Sequence, residues 1–381
     1  MPELAEIFRQ AGGAYLRRFA GRVLPSHRKA INDIAACRTP VFGGHVYRCD
    51  HPDCGALHFA YHSCCNRHCP KCQHTQTQRW IEKLTQLLLP CPYFLLTFTL
   101  PHGLRALARS NQKLLYGILI REAAASLLAL AADRQWIGGR PGIVAVLHTW
   151  SRSMAYHPHV HLLATAGGLT DDQAAWIRPA HQSFPLPGFA LSKIFRAKVR
   201  DALRRTCLLD KVDADIFRQK WVVHVRRPEP APRLVQYLSR YLYRVALTNP
   251  RIESFVNASV TFRYVDSRTH HTKRLSLTAE AFIARFLQHV LPKGFPKVRY
   301  FGLFSPNSRN LLARARHLLA LASTLSQDEA SIPPTNHAND DNPSLHATAS
   351  LCTTRPCPTC HRGTLQLLAV LNVLPTARPP P

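Results

Sequence analysis

The sequence predicts an α+β protein: an antiparallel sheet flanked by helices, preceded by a small module of four metal-binding cysteines. Three observations carry that expectation. Short aromatic and β-branched segments alternate with amphipathic ones, and several sit close enough to pair as hairpins. Eight of the twelve cysteines fall between Cys37 and Cys91. The 381 residues carry 49 Lys+Arg against 22 Asp+Glu, a formal charge of +27, with 46% apolar residues. That apolar share is enough for a packed core and excludes a wholly disordered basic tail. The charge favours a polyanionic partner, with nucleic acid the commonest and an anionic membrane surface the alternative.

No apolar run reaches the roughly 18–20 residues of a membrane helix; the longest, Leu87 to Leu100, is cut by Pro90 and Pro92. The first ten residues, MPELAEIFRQ, carry acids and no long apolar core, unlike a secretory signal. The expectation is a soluble protein that faces nucleic acid and has no membrane partner.

Residues 1–36 are expected as a helical N-terminal segment, 37–92 as the zinc module, 93–310 as the main domain and 311–381 as a partly disordered tail. Within the module, Cys49-x4-Cys54 is followed after fourteen residues by Cys69-Pro70-Lys71-Cys72. Two such pairs without a signal sequence suit zinc, because each forms a knuckle and four thiolates close a tetrahedron. Cys49, Cys54, Cys69 and Cys72 are the expected ligands. Cys37, Cys64, Cys65 and His68 lie near enough to replace one of them. Cys357-Pro358-Thr359-Cys360 resembles half of another ribbon, with no second pair following it.

A helix is expected from Gln78 to Leu89, ended by Pro90, then a buried strand Tyr93–Thr99. A long helical region follows from about Leu104 to Asp133, broken at Gly138-Gly139-Arg140-Pro141-Gly142. Ile143–Trp150 and His159–Thr165 read as strands able to pair antiparallel. Ile194–Leu209 is a basic amphipathic helix, as consistent with a solvated face as with DNA contact. Trp221–Val225 is a short strand, and Arg233–Leu247 a helix after Pro232. Val260–Val265 and Lys273–Leu277 form a hairpin, and Thr278 caps a helix Ala279–Val290. From about Ser323 to Ser350 the chain is polar and rich in Asn, Pro and Ala, the composition of a linker.

His157-Pro158-His159-Val160-His161 is the sharpest signal. Side chains two apart on a strand share a face, so His159 and His161 project together while Val160 turns into the core. Two imidazoles side by side make half of a divalent-metal site. His157 lies at the strand entrance. His148 on the neighbouring strand and Gln236 are both candidates for a third ligand.

Gln236-Tyr237-Leu238-Ser239-Arg240-Tyr241-Leu242-Tyr243-Arg244 places Tyr237 and Tyr241 on one helical face, with Arg240 and Arg244 beside them. An aromatic core stripe accounts for this segment taken alone. The chemical reading is that a phenol, a poor nucleophile at neutral pH, attacks a phosphodiester polarised by a metal and by guanidinium groups.

In order, Ser63-Cys64-Cys65-Asn66-Arg67-His68-Cys69-Pro70-Lys71-Cys72, Phe98-Thr99-Leu100-Pro101, His157-Pro158-His159-Val160-His161, the Tyr237/Tyr241 pair and His289-Val290-Leu291-Pro292-Lys293-Gly294-Phe295 resemble the transposases of the insertion-sequence-91 family, rolling-circle elements within the HUH endonucleases. The resemblance covers about residues 30–310. It implies a DNA transposase with an HUH-type antiparallel sheet. It implies Mg²⁺ or Mn²⁺ on His159 and His161, and nucleophiles at Tyr237 and Tyr241. It also implies a zinc module, on Cys49, Cys54, Cys69 and Cys72, that helps to recognise element ends. Single-stranded element ends would be the substrate, with Arg240 and Arg244 against DNA and no small-molecule cofactor. Rival readings are a plasmid replication initiator or relaxase with the same chemistry, a histidine-triad nucleotide hydrolase, and a non-catalytic zinc-ribbon DNA-binding protein.

Overall fold

A computed structural model describes residues 2–179, 186–230, 246–266, 268–328 and 355–373. The protein is α+β, with eight α-helices among the described residues and sheets that are antiparallel throughout. Helices α1 (Leu4–Arg18) and α2 (Pro25–Ala35) lead into strands β1 (Gly44–Cys49) and β2 (Leu57–Tyr61), then α3 (Gln73–Leu87). Next come β3 (Tyr93–Thr99), α4 (Arg105–Ser110), α5 (Gln112–Ala131), β4 (Gly142–Trp150) and β5 (Tyr156–Thr165). The short strands β6 (Gly168–Leu169) and β7 (Trp176–Ile177) precede α6 (Gly188–Arg205) and β8 (Val223–Val225). The rest comprises β9 (Ile252–Val256), β10 (Ser259–Val265), β11 (Thr272–Thr278), α7 (Ala279–Leu287), β12 (Val298–Gly302), α8 (Arg309–Asp328) and β13 (Leu365–Leu371).

The central sheet has the order β12-β4-β5-β3-β8. Its inner strands β3, β4 and β5 are largely apolar because both faces are covered, whereas the edge strands β8 and β12 are only half-buried. On one face, Phe94, Leu96, Phe98, Ala145, Leu147, Val160 and Leu162 pack against α5 and α6. On the other, Tyr93, Leu95, Val144, Val146 and Leu163 share a cluster with Trp80 and Leu84 of α3 and Leu312 of α8. Helix α5 is by length and composition apolar enough to cross a membrane, contrary to the expectation that no segment would be. It is instead the core helix of the first face, with Leu115, Ile118, Leu119, Leu127 and Ala131 buried. The long helical region divides in two at Asn111, which bonds back to Leu107 through its side-chain amide.

A second cluster joins α1 and α2 to the hairpin β10–β11 and to α7, with Phe8 and Phe286 edge to face at 5.3 Å. The Thr278 hydroxyl accepts from the Ala281 amide, capping α7 as expected from its sequence. Helix α6 buries Leu191, Phe195, Val199 and Leu203 and turns its basic side chains outward, where Arg204 pairs with Asp201. Helix α8 extends to Asp328, into the stretch expected as a linker. Of the expected helix Arg233–Leu247, residues 233–245 lie outside the described residues.

Candidate metal centres

Strands β4 and β5 bring three imidazoles onto one sheet face. His159 is the cross-strand partner of His148 in β4 and of Thr99 in β3, and His161 pairs with Val146 and Thr97. Alternation does the rest: His159 and His161 share a face with Leu163, while Val160 and Leu162 enter the opposite core. Ring centroids lie 5.4 Å (His148–His159), 4.7 Å (His148–His161) and 4.9 Å (His159–His161) apart, all close to edge-on. One nitrogen from each ring lies within 4.8 Å of the other two, the spacing of three ligands around one cation. Of the two third-ligand candidates, His148 takes its place in this group, whereas Gln236 lies outside the described residues.

Hydrogen bonds orient the rings. The Nδ1–H of His159 donates to the His157 carbonyl at 2.7 Å, which leaves Nε2 with its lone pair. Nδ1 of His161 is 3.0 Å from the Thr97 hydroxyl. Burial lowers both rings' affinity for protons, His159 to about 4 and His161 well below its ordinary value. They are therefore neutral at physiological pH, the form that binds metal. His157 stands apart from the trio, because its Nδ1 accepts from the Arg105 guanidinium. His148 stacks on Trp150 at 4.8 Å, and the Lys297 amine sits 5.0 Å over the same indole, its pKa lowered to about 7 by burial. Tyr237, Tyr241, Arg240 and Arg244 lie outside the described residues.

The four cysteines expected as one site do not meet. Cys69 and Cys72, at the start of α3, join Cys37 and Cys64; Cys49 and Cys54 lie apart, beside Cys357 and Cys360. The reason is local geometry. Cys37 follows α2 directly and reaches the Cys69–Cys72 knuckle, whereas β1 carries Cys49 away along the edge where β13 pairs. In the first group Sγ–Sγ distances are 3.5 Å (Cys37–Cys72), 3.5 Å (Cys64–Cys72) and 3.6 Å (Cys37–Cys69). Four sulfurs at about 2.3 Å from zinc sit roughly 3.8 Å apart, so this spacing fits a zinc tetrahedron and not a disulfide. Hydrogen bonds within the group hold the Cys37 and Cys72 thiols below their ordinary pKa and those of Cys64 and Cys69 above it, so the four sulfurs titrate as one coupled set. Cys65 is exposed, and His68 accepts from the Leu291 amide at 3.3 Å, so neither belongs to the group.

Sequence reasoning missed how this knuckle is tied to the sheet. The Arg67 guanidinium donates to the carbonyls of Phe295 (2.5 Å) and Pro292 (2.7 Å). The same 289–295 segment carries His289, whose Nε2–H donates to the Met154 carbonyl at 3.0 Å and whose Nδ1 lies 3.2 Å from the Thr149 hydroxyl. Thr149 adjoins His148 in β4. Two motifs whose contacts bridge 223 to 228 residues of sequence are thus one continuous set of contacts from the zinc knuckle to the histidine strands. A basic groove lined by Lys113, Arg121, Lys293 and Arg299 runs beside α5 and the approach to β12.

Comparison with known proteins agrees with this architecture. Residues 7–100 match a family model described as "Transposase zinc-binding domain", and residues 142–311 match one described as "Putative transposase". The chain is 33% identical to "Putative transposase y4qJ" of Sinorhizobium fredii, over 97% of this chain and 96% of that protein. It is 31% identical to "Transposase for insertion sequence element IS801" of Pseudomonas savastanoi pv. phaseolicola, over 73% of this chain and 70% of that protein. No solved structure matches the chain significantly. The zinc-type cysteine knuckle, the histidine strands and these relatives together place the chain in the insertion-sequence-91 family of transposases.

Proposed function

We propose that this transposase cuts and rejoins one strand of DNA through a 5′-phosphotyrosine intermediate, in the manner of the HUH endonucleases. In this reading His159, His161 and His148 hold Mg²⁺ or Mn²⁺, and Tyr237 and Tyr241 are the nucleophiles. The observation that carries it is the meeting of three imidazoles on one sheet face, His148 buried and His159 and His161 held in the neutral form by their surroundings. A structural role for a histidine is usually complete once its ring is packed and hydrogen-bonded; three rings presenting nitrogens to a common point suit a cation better.

A divalent cation held there would polarise the scissile phosphodiester and offset its developing negative charge. The protein's own groups carry out the rest. A tyrosine phenol loses its proton and attacks phosphorus; the P–O bond to the 3′ oxygen breaks, and that oxygen leaves as a 3′-hydroxyl after taking up a proton. The 5′ end stays on the tyrosine, and the bond energy is kept, so a 3′-hydroxyl can reverse the step without ATP. Two tyrosines on one helical face would hold two DNA ends in turn. Arg240 and Arg244 would neutralise the flanking phosphates, and the groove of Lys113, Arg121, Lys293 and Arg299 offers a further backbone track. The proposed division is a helical segment 1–36, a zinc module 37–92, a nuclease domain 93–310 and a tail 311–381.

A replication initiator or relaxase would share this chemistry; the names of both curated relatives favour transposition. The reading also puts the protein in the cytoplasm, at the nucleoid. The test is cleavage of a single-stranded oligonucleotide carrying an element end, with and without Mn²⁺. His159→Ala should abolish metal-dependent cutting, and full activity in that variant would remove the metal from the account.

A further inference from the structure

We propose that Cys49, Cys54, Cys357 and Cys360 bind a second structural zinc ion. The chain then carries two zincs, and the second one fastens its C-terminal segment to the cysteine module. Nothing in this inference depends on the nuclease chemistry proposed above.

The four sulfurs face one another, with Cys49–Cys360 at 3.7 Å and Cys54–Cys357 at 3.9 Å. Those are again the edges of a tetrahedron with zinc at its centre, about 3.8 Å. Its backbone is built as two matching knuckles. The amide of His51 points at Cys49 Sγ at 3.5 Å, and the amide of Thr359 points at Cys357 Sγ at 3.4 Å, each two residues on from its cysteine. A third amide, that of Gly363, donates to Cys360 Sγ at 3.4 Å. Amides aimed at sulfur stabilise thiolate over thiol, the state a metal ligand must adopt. His58 adds a ring nitrogen 3.5 Å from Cys357 Sγ.

The surrounding backbone is shaped to the cluster. A Cβ at Gly363 would lie 2.5 Å from Cys49 Sγ, so only glycine lets that turn approach the sulfur. Asp50 accepts from the Thr364 amide at 2.7 Å and from its hydroxyl, clamping the two knuckles together. Beyond the clamp, β13 pairs with β1 from Cys49↔Leu365 to Gly44↔Leu371. The ligand pairs are 303 residues apart in sequence, so neither knuckle can close its own tetrahedron; each supplies the half that the other lacks. The isolated C-terminal Cys-x-x-Cys and the unusually wide Cys49-x4-Cys54 are explained as two parts of one ribbon.

The test is the zinc content of the full-length protein by native mass spectrometry, together with cysteine alkylation under native conditions. Two zincs per chain are expected, and one in the Cys357→Ser/Cys360→Ser variant. Cys49, Cys54, Cys357 and Cys360 should resist alkylation together and become reactive together on chelation, while exposed Cys207 reacts throughout. Gly363→Ala, which keeps all four ligands, should lower occupancy of this site alone. One zinc in the wild-type chain would overturn the proposal. So would two zincs retained in the double variant, or alkylation of Cys357 and Cys360 as fast as that of Cys207.

Discussion

His148 and His159 are direct partners across the β4–β5 ladder, with their rings 5.4 Å apart and nearly perpendicular. The candidate catalytic centre is therefore defined by two strands, with His161 one step along β5 completing the triangle. Separations set by a hydrogen-bonded ladder are held stiffly, which preorganises the site for a cation.

His148→Ala should weaken Mn²⁺ binding by about a hundredfold, because a bidentate remnant replaces three converging nitrogens. Calorimetric titration of the metal measures this directly. An unchanged dissociation constant would remove His148 from the ligand set.

Thr97→Val should have a smaller effect of the same kind, roughly tenfold. Its hydroxyl lies 3.0 Å from His161 Nδ1, and its loss frees the ring to turn without removing a ligand. Equal affinity in the two proteins would show that ring orientation is set elsewhere.

Acid should destabilise the fold through buried neutral histidines. Burial holds His289 at about 4, below the 6.5 of an exposed ring. Between those values the unfolded chain binds the extra proton, so stability is complete above pH 6.5 and is lost as pH falls towards 4. From pH 7.5 to pH 5, His289 alone accounts for a loss on the order of 2 kcal/mol. Chemical unfolding of the protein and of His289→Gln at both pH values would reveal a shallower dependence in the variant. The same slope in both would place the titration on other groups.

Arg67→Ala should cost on the order of 2–4 kcal/mol, since it strips charge-assisted donors from the Pro292 and Phe295 carbonyls. Unfolding in zinc-saturated buffer tests this. A change within about 0.5 kcal/mol, the range of ordinary surface substitutions, would mean that the contact between motifs carries no stability.

Much of this was legible in the sequence because local period decides it. Tyr93–Thr99 forms a strand with the bounds that its aromatic and β-branched run suggests, and the hairpin of β10 and β11 and the Thr278 cap follow from equally local signals. The pairing of His159 with His161 needed only the alternation of a strand. The zinc ligands were less legible, since the choice among crowded cysteines depends on where α2 ends and on which strand covers β1. Both are long-range outcomes, and a Cys-x-x-Cys more than 300 residues away gives no local hint of its partner. Arg67 and His289 stand out in the sequence only as members of family motifs; that they tie the two motifs together was not legible, because a half-buried arginine on carbonyls is defined by the far segment that it clamps. Tyr237 and Tyr241 lie outside the described residues, so their place rests on the sequence and the family.

Covalent capture of DNA tests the central claim most directly. The protein is incubated with Mn²⁺ and a labelled single-stranded oligonucleotide bearing the element's end, then run on a denaturing gel. The wild type should give a metal-dependent adduct that survives SDS, and Tyr237→Phe/Tyr241→Phe should give none while still binding the oligonucleotide. An adduct formed equally well by the double variant, or by the wild type in excess chelator, would contradict the account.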